Sequence, residues 1–216
     1  MLKEYKTLSA YGEGEITIEK SKFIGYATPI KSEEEAIAFI ENIRTKHWNA
    51  THNVPAYVVG ENNEIQRYSD DREPSGTAGI PILEVIKKED LRNVAVVVTR
   101  YFGGIKLGTG GLVRAYTKGA KIGLEAAKIV TKRLYELVHV KIDYTMLGKI
   151  QNEILQNGYL IKETQYDDAV HFYLYIKVDS LDYFEKQIIE WTNGRATLDF
   201  AGEEYLTEID GKVAMP

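Results

Sequence analysis

The chain has 216 residues, carries a formal net charge of −5 and contains no cysteine. The lack of cysteine excludes disulfide bonds, thiolate metal sites and cysteine nucleophiles. No run of eighteen apolar residues occurs, and the first ten residues, MLKEYKTLSA, include Lys and Glu with no apolar stretch behind them. We therefore expect neither a membrane span nor a secretory signal, and predict a soluble, cytoplasmic protein without a membrane partner.

The charge is distributed unevenly along the chain. Residues 1–132 contain 19 Lys and Arg against 17 Asp and Glu, a net charge of +2, whereas residues 133–216 contain 8 against 15, a net charge of −7. Between Arg100 and Lys132 there are seven basic residues and one acid, Glu125. Positive charge is thus local, and it lies beside a glycine-rich segment.

The first 132 residues predict one domain that mixes strands and helices. The segments GEGEITIEK and SKFIGYATPI are typical of two paired strands. SEEEAIAFIENIRTKHW predicts a helix with Ser32 as its N-cap and Glu35 at the capping-box position. Strands follow at VPAYVVG, EIQRYS and LRNVAVVVTRYF, and Pro81 suits the first turn of a helix over IPILEVIKKE.

Residues 133–216 predict a second domain. From Leu134 the pattern indicates strand YELVHVKIDY, helix MLGKIQNEILQN, strands YLIKETQY and AVHFYLYIKV, helix LDYFEKQIIEWT and strand RATLDFAGEE. This βαββαβ order is that of the ferredoxin-like arrangement. We therefore predict an α+β fold class with two domains.

The glycine-rich segment of residues 103–111, here called the glycine turn, leads from a strand into a helix that we predict from about Leu112 to Ile129. A helix N-terminus offers unpartnered N–H groups and partial positive charge, which together favour an anion. Nearby basic side chains and a threonine hydroxyl would strengthen the site. The predicted anion-binding or nucleic-acid-binding residues are Arg100, Gly103, Gly104, Lys106, Gly108, Thr109, Gly110, Gly111, Arg114, Lys118 and Lys121.

Two other readings of the glycine turn stay open. The glycines could have a purely structural role, in which they allow positive φ angles and close packing of the backbone. The anion could be an RNA phosphate or a phosphorylated metabolite, since neither GxxxxGK[ST] nor GxGxxG is present and a nucleotide triphosphatase or dehydrogenase is disfavoured. Tyr101, Phe102 and Tyr116 could stack on bases, although aromatic residues at strand ends more often belong to the core.

The segment SDDREPSGTAG and a histidine before a strand supply the catalytic candidates, which are His52, Asp70, Asp71 and Glu73. The carboxylates could hold a hard cation or act as a base, and His52 could serve as acid or base. The alternative is turn chemistry, in which Asp, Ser and Gly bond the backbone locally. The visible ligands are too few for a metal site, so we predict neither a metal nor a cofactor. A serine hydrolase is disfavoured because no GxSxG elbow is present.

Three segments in this order, ATHNVPAY, SDDREPSGTAG and VVVTRYFGGIKLGTGGLVRAYTKGA, resemble the YigZ/IMPACT family, and the resemblance covers about residues 1–130. It implies an N-terminal domain (1–132) of the ribosomal protein S5 domain 2-like class. It also implies that residues 133–216 form a ferredoxin-like domain similar to the last domain of elongation factor G. Eukaryotic members modulate translational control, and nucleic-acid binding is the usual inference for bacterial ones. Arg72 stands where a glycine is frequent in that family.

These observations lead to three hypotheses. The first is a non-catalytic module that binds RNA or the ribosome through the glycine turn and the basic side of the following helix, with a role in translation regulation. The second is an enzyme acting on a small phosphorylated substrate, with Mg²⁺ as an optional requirement. The third is an adaptor that contacts a protein partner through the acidic C-terminal domain.

Overall fold

The computed structural model describes residues 1–214 and divides into two compact units. Unit 1 comprises Met1 and Tyr5–Thr131, and unit 2 comprises Leu2–Glu4 and the chain from Lys132 onward. Residues 2–4 group with unit 2 because the N–H of Leu134 donates to the carbonyl of Lys3 at 2.9 Å. The sequence prediction had kept these residues with the first domain, since three residues carry no pattern that could separate them.

The described chain forms five α-helices and eleven strands. No helix within residues 1–214 is both long and apolar enough to cross a membrane. In chain order the elements are β1 Glu4–Leu8, β2 Gly12–Ile18, β3 Ser21–Pro29, α1 Glu33–Lys46, β4 His52–Val59, β5 Ile65–Tyr68, α2 Gly79–Lys88, β6 Val94–Tyr101, α3 Gly108–Ala127, β7 Ile129–Ile142, α4 Leu147–Gln156, β8 Leu160–Tyr166, β9 Val170–Lys177, α5 Leu181–Thr192, β10 Thr197–Ile209 and β11 Lys212–Val213.

Unit 1 is built on an antiparallel sheet with the strand order β2-β3-β6-β4-β5. Strand β6 is apolar on both faces because both faces are covered. Val96 and Val98 belong to the core shared with α2 and α3, whereas Ala95 and Val97 belong to the core shared with α1. Successive side chains of a strand point to opposite faces, so an unbroken apolar run marks the centre of a layered domain.

Helix α3 packs on the sheet of unit 1 with almost no side chain between the two backbones. A Cβ atom on Gly25 of β3 would lie 1.9 Å from the carbonyl oxygen of Gly119, and one on Gly123 would lie 2.9 Å from the carbonyl carbon of Gly25. Any larger residue at these positions would push the helix away from the strand. The glycines therefore fix the distance at which α3 crosses the sheet.

Unit 2 contains the predicted βαββαβ unit, formed by β7, α4, β8, β9, α5 and β10. Its strands lie in the order β11-β10-β7-β9-β8, and β1 also pairs with β7. Alternate residues of β7, such as Val138 and Val140, join Ile150 of α4 and Phe184 of α5 in one apolar core. The predicted α+β class with a ferredoxin-like second domain is thus confirmed.

Helix α3 begins earlier and ends earlier than the sequence predicted, at Gly108 and Ala127 in place of about Leu112 and Ile129. The apolar periodicity starts only at Leu112, and glycine is a poor helix former, so the pattern cannot show the first turn. At the other end, Lys128 has a φ of 60°, which breaks the helix. Three of the glycines therefore belong to the helix itself.

Candidate functional site

The start of the glycine turn and its junction with α3 are shaped by glycines. A Cβ atom on Gly103 would lie 1.9 Å from the carbonyl oxygen of Lys20, so only glycine allows this approach. The N–H of Gly103 donates to Oγ of Ser21 at 3.2 Å, which ties the turn to the start of β3. Gly104 and Gly108 have φ angles of 85° and 67°, and no atom lies within 4 Å of the Cβ that each lacks. Positive φ and close packing thus account for three of the five glycines.

The first turn of α3 is open. Its N-cap, Leu107, makes no side-chain hydrogen bond to the helix, and the first turn contains no acidic residue. Gly108, Thr109 and Gly110 are exposed. The N–H groups at the start of this twenty-residue helix thus have no side-chain cap, and the helix dipole places partial positive charge there.

A cavity of about 410 Å³ lies beside this first turn and is here called the basic cavity. Lys106, Arg114 and Lys118 line it together with Glu19. Within residues 1–214 none of the three basic side chains forms an ion pair or a hydrogen bond. The structure thus brings together three of the predicted basic residues. Lys121 lies elsewhere, in a groove between α2 and α3 that also contacts Ile80.

Arg100 does not line the basic cavity, although the sequence prediction assigned it to the same site. The residue is only 5% exposed, and Nη1 donates to Oε1 of Glu73 at 2.6 Å. The guanidinium also lies 5.4 Å from the ring centroids of Phe23 and Phe102. A basic side chain near a strand end usually faces solvent, but the ion pair with Glu73 keeps the Arg100 side chain buried.

Glu73 is the centre of a buried cluster that also contains Arg100, Tyr116 and His52. The hydroxyl of Tyr116 donates to Oε1 of Glu73 at 2.7 Å, and Nε2 of His52 lies 3.6 Å from the same oxygen. Burial, followed by the bond to Glu73, raises the pKa of Tyr116. Nδ1 of His52 lies 2.7 Å from the carbonyl oxygen of Asp71, and because a carbonyl only accepts, Nδ1 carries the proton. The structure therefore joins two of the four catalytic candidates.

The other two candidates, Asp70 and Asp71, use their carboxylates on the backbone. Asp70 accepts the N–H groups of Gly76, Ala78 and Gly79, and so holds the start of α2. Asp71 accepts the N–H of Asn53 at 2.6 Å. This is turn and capping chemistry, so the reading of these two acids as cation ligands or as a base is not supported.

The aromatic residues near the turn differ in exposure. Tyr116 is completely buried, so the suggestion that it stacks on bases is wrong. Phe102 is 47% exposed. Trp48 is 84% exposed, although the sequence did not predict it as a functional residue. Trp48 lies beyond the last residue of α1, Lys46, so the helical pattern of Ala36, Ile40 and Ile43 does not determine its exposure.

The comparison with known proteins places this site in a family. Residues 19–124 match the Impact N-terminal domain, and residues 140–195 match a domain of unknown function, DUF1949. The protein named IMPACT family member YvyE, of Bacillus subtilis (strain 168), is 48% identical over 206 residues, which cover 95% of each chain. The chain belongs to the IMPACT family.

Two further comparisons cover most of this IMPACT chain. IMPACT family member YigZ of Escherichia coli (strain K12) is 36% identical over 153 residues, which cover 66% of this chain and 74% of that protein. The crystal structure of a hypothetical protein is 29% identical and superposes with a TM-score of 0.59; the match covers 92% of this chain and 97% of that one. The glycine turn and the buried cluster both lie inside the segment that matches the Impact N-terminal domain.

Proposed function

We propose that the chain is an RNA-binding or ribosome-associated protein with a role in translation regulation, and that it holds RNA phosphates at the first turn of α3. One observation carries the proposal. An uncapped helix N-terminus adjoins three basic side chains that form no ion pair with any described residue. Free N–H groups, the helix dipole and mobile basic groups are the features that bind phosphate.

The charge pattern supports a polyanion as the ligand. Arg114 and Lys118 are four residues apart and therefore lie on one side of α3, and Lys106 precedes that helix. An extended strand of phosphates can contact several such groups at once, with release of counterions. A single small phosphate would use only part of this surface.

The test is the salt dependence of RNA binding by fluorescence anisotropy. We expect the logarithm of the affinity to fall linearly with the logarithm of salt concentration. Neutralising Arg114 and Lys118 as Arg114→Gln and Lys118→Gln should reduce the slope by about 0.7–0.9 per residue. Lys186→Gln, which removes an exposed lysine of unit 2, is the matched control and should leave the slope unchanged. Absence of affinity at low salt would reject the proposal.

A second candidate, an enzyme acting on a small phosphorylated substrate, has one observation in its favour. His52 and Glu73 are neighbours, and the Asp71 carbonyl fixes the proton of His52 on the nitrogen that faces away from Glu73. Such a pair can transfer protons. Thermal-shift measurements with nucleotides and sugar phosphates, with and without Mg²⁺, distinguish the two candidates, because only the enzyme requires stabilisation by a small phosphorylated compound.

A further inference from the structure

Trp48 has an exposed side chain that belongs to none of the apolar cores of the described chain. It follows the last turn of α1, outside the face that Ala36, Ile40 and Ile43 bury, and 84% of its surface is accessible. A tryptophan is large and apolar and is usually covered over most of its surface. An exposed indole on a structured segment is therefore a candidate contact for a ligand.

The segment that carries Trp48 is fixed to the end of β6. The N–H of Thr51 donates to the carbonyl of Arg100 at 2.9 Å, and the N–H of Phe102 donates to Oγ1 of Thr51 at 3.0 Å. The hydroxyl of Tyr101 lies 2.8 Å from Nδ1 of His47. These bonds hold Trp48 and Phe102 on two joined segments, so a ligand does not have to order them on binding.

Phe102 connects this aromatic surface to the phosphate site. Its ring is 47% exposed and lies 5.4 Å from the guanidinium of Arg100, and the next residue, Gly103, opens the glycine turn. Lys106 and Arg114 of the basic cavity follow in the chain without ion-pair partners among the described residues. Proteins that bind single-stranded nucleic acid combine such aromatic faces, on which bases stack, with a basic groove for the backbone.

We infer that Trp48 and Phe102 form a platform on which unpaired bases stack, and that the RNA bound beside α3 is therefore single stranded. The inference rests on the proposed function, because the basic cavity supplies the phosphate contacts. Bases inside an A-form duplex are already stacked on each other and are not free to stack on an aromatic side chain. The platform thus selects unpaired RNA, whereas the basic cavity alone would accept both forms.

Fluorescence gives a direct test, because the sequence contains only two tryptophans. In a Trp191→Phe variant of the full chain, Trp48 is the only indole. A uridine oligonucleotide should quench its emission in proportion to binding, whereas a blunt RNA duplex of equal length should leave the emission unchanged. Quenching by both, or by neither while the oligonucleotide is bound, would overturn the inference.

Affinity measurements separate the platform from the phosphate site. Trp48→Ala should weaken binding of the uridine oligonucleotide at least about fivefold, the lower end of the loss for one stacked base. Trp48→Phe should keep most of the affinity because a ring remains. The matched control is Tyr183→Ala, which removes a 63% exposed ring from α5 of unit 2 and should change nothing.

The outcomes also distinguish this inference from the proposed function. If Trp48→Ala has no effect while Arg114→Gln weakens binding, the platform is rejected and the phosphate site stands. If the wild-type chain binds no RNA at low salt, both are rejected. If Trp48→Ala removes a protein that co-purifies with the chain but leaves RNA affinity unchanged, the surface belongs to a protein partner and the inference is overturned.

Discussion

Glu73 is the residue on which the polar contacts inside unit 1 converge. Its Oε1 atom accepts from Arg100 of β6 and from Tyr116 of α3, and it faces His52 of β4. The side chain is 4% exposed, so almost all of its hydration is lost on folding. A buried carboxylate is tolerated only when its partners replace that hydration, and loss of one partner leaves the other charge buried alone.

Removal of this carboxylate should therefore destabilise the protein strongly. We expect Glu73→Ala to lower the free energy of unfolding by about 3–5 kcal/mol, because Arg100 would stay buried without a counterion. Urea denaturation followed by circular dichroism measures the change. The matched control is Glu84→Ala, since Glu84 is exposed and pairs with Lys87 at 3.0 Å, and this variant should cost less than about 1 kcal/mol. Similar losses in both variants would contradict the argument.

At this scale the sequence indicated local bonds but not distant ones. The N-cap bond from the N–H of Glu35 to Ser32 was predicted, because the two residues are three apart and the pattern is local. The pair of Glu73 and Arg100 joins residues 27 positions apart, and only the fold brings them together. Trp48 was missed for a similar reason, since its exposure depends on where α1 ends.

At the scale of elements, the packing of α3 on β3 depends on residues without side chains. Gly119 and Gly123 are one helical turn apart, and the backbone of each lies against Gly25 of β3. The Cβ atom that Gly119 lacks would lie 2.7 Å from Cγ1 of Val98 in β6. Contacts of this kind place backbone atoms directly against each other. They also set the position of the first turn of α3, because a helix that shifted outward would carry its N-terminus with it.

Substitution of one of these glycines should show how tight the contact is. Gly123→Ala should destabilise the protein by about 1–3 kcal/mol, because the new Cβ would lie 2.9 Å from backbone of Gly25. Gly148→Ala on α4 is the control, since no atom lies within 4 Å of its Cβ position, and it should stabilise by up to about 1 kcal/mol. Thermal unfolding measures both, and a stabilising Gly123→Ala would refute the close packing.

The sequence predicted the type of most elements but not all of their bounds. The uninterrupted apolar run of β6 and the alternating pattern of β9 identify strands without knowledge of the fold. The short strands β1 and β11 carry no such pattern, since pairing with a neighbour defines them more than their own residues do. The predicted start of α3, near Leu112, is too late because the glycines of the first turn have no side chains that could show an apolar periodicity.

For the whole molecule, the main feature is the separation of charge along the chain. Residues 1–132 carry a net charge of +2 and residues 133–216 a net charge of −7. The family could be predicted from the sequence because it rests on long motifs, and the second domain could be predicted because its strands and helices follow a regular pattern. The grouping of residues 2–4 with unit 2 could not, because it depends on single backbone bonds such as that between Lys3 and Leu134.

This separation predicts where RNA touches the chain. Photo-crosslinking with an RNA that contains 4-thiouridine, followed by mass spectrometry of the peptides, should label the segments 46–51 and 100–118. Residues 133–216 should stay almost unlabelled, because their net negative charge repels phosphate. Crosslinks concentrated on the strands of unit 2 would show that the binding surface has been assigned to the wrong part of the molecule.

Arg72 illustrates that an exposed basic side chain does not imply an accessible peptide bond. Its side chain is 80% exposed, but its φ angle is 69° and the next residue, Glu73, is anchored in the buried cluster. A trypsin-like protease needs an extended stretch on both sides of the scissile bond. Hydrolysis after Arg72 therefore requires that the buried cluster first opens. The cleavage rate then reports how often that local opening occurs.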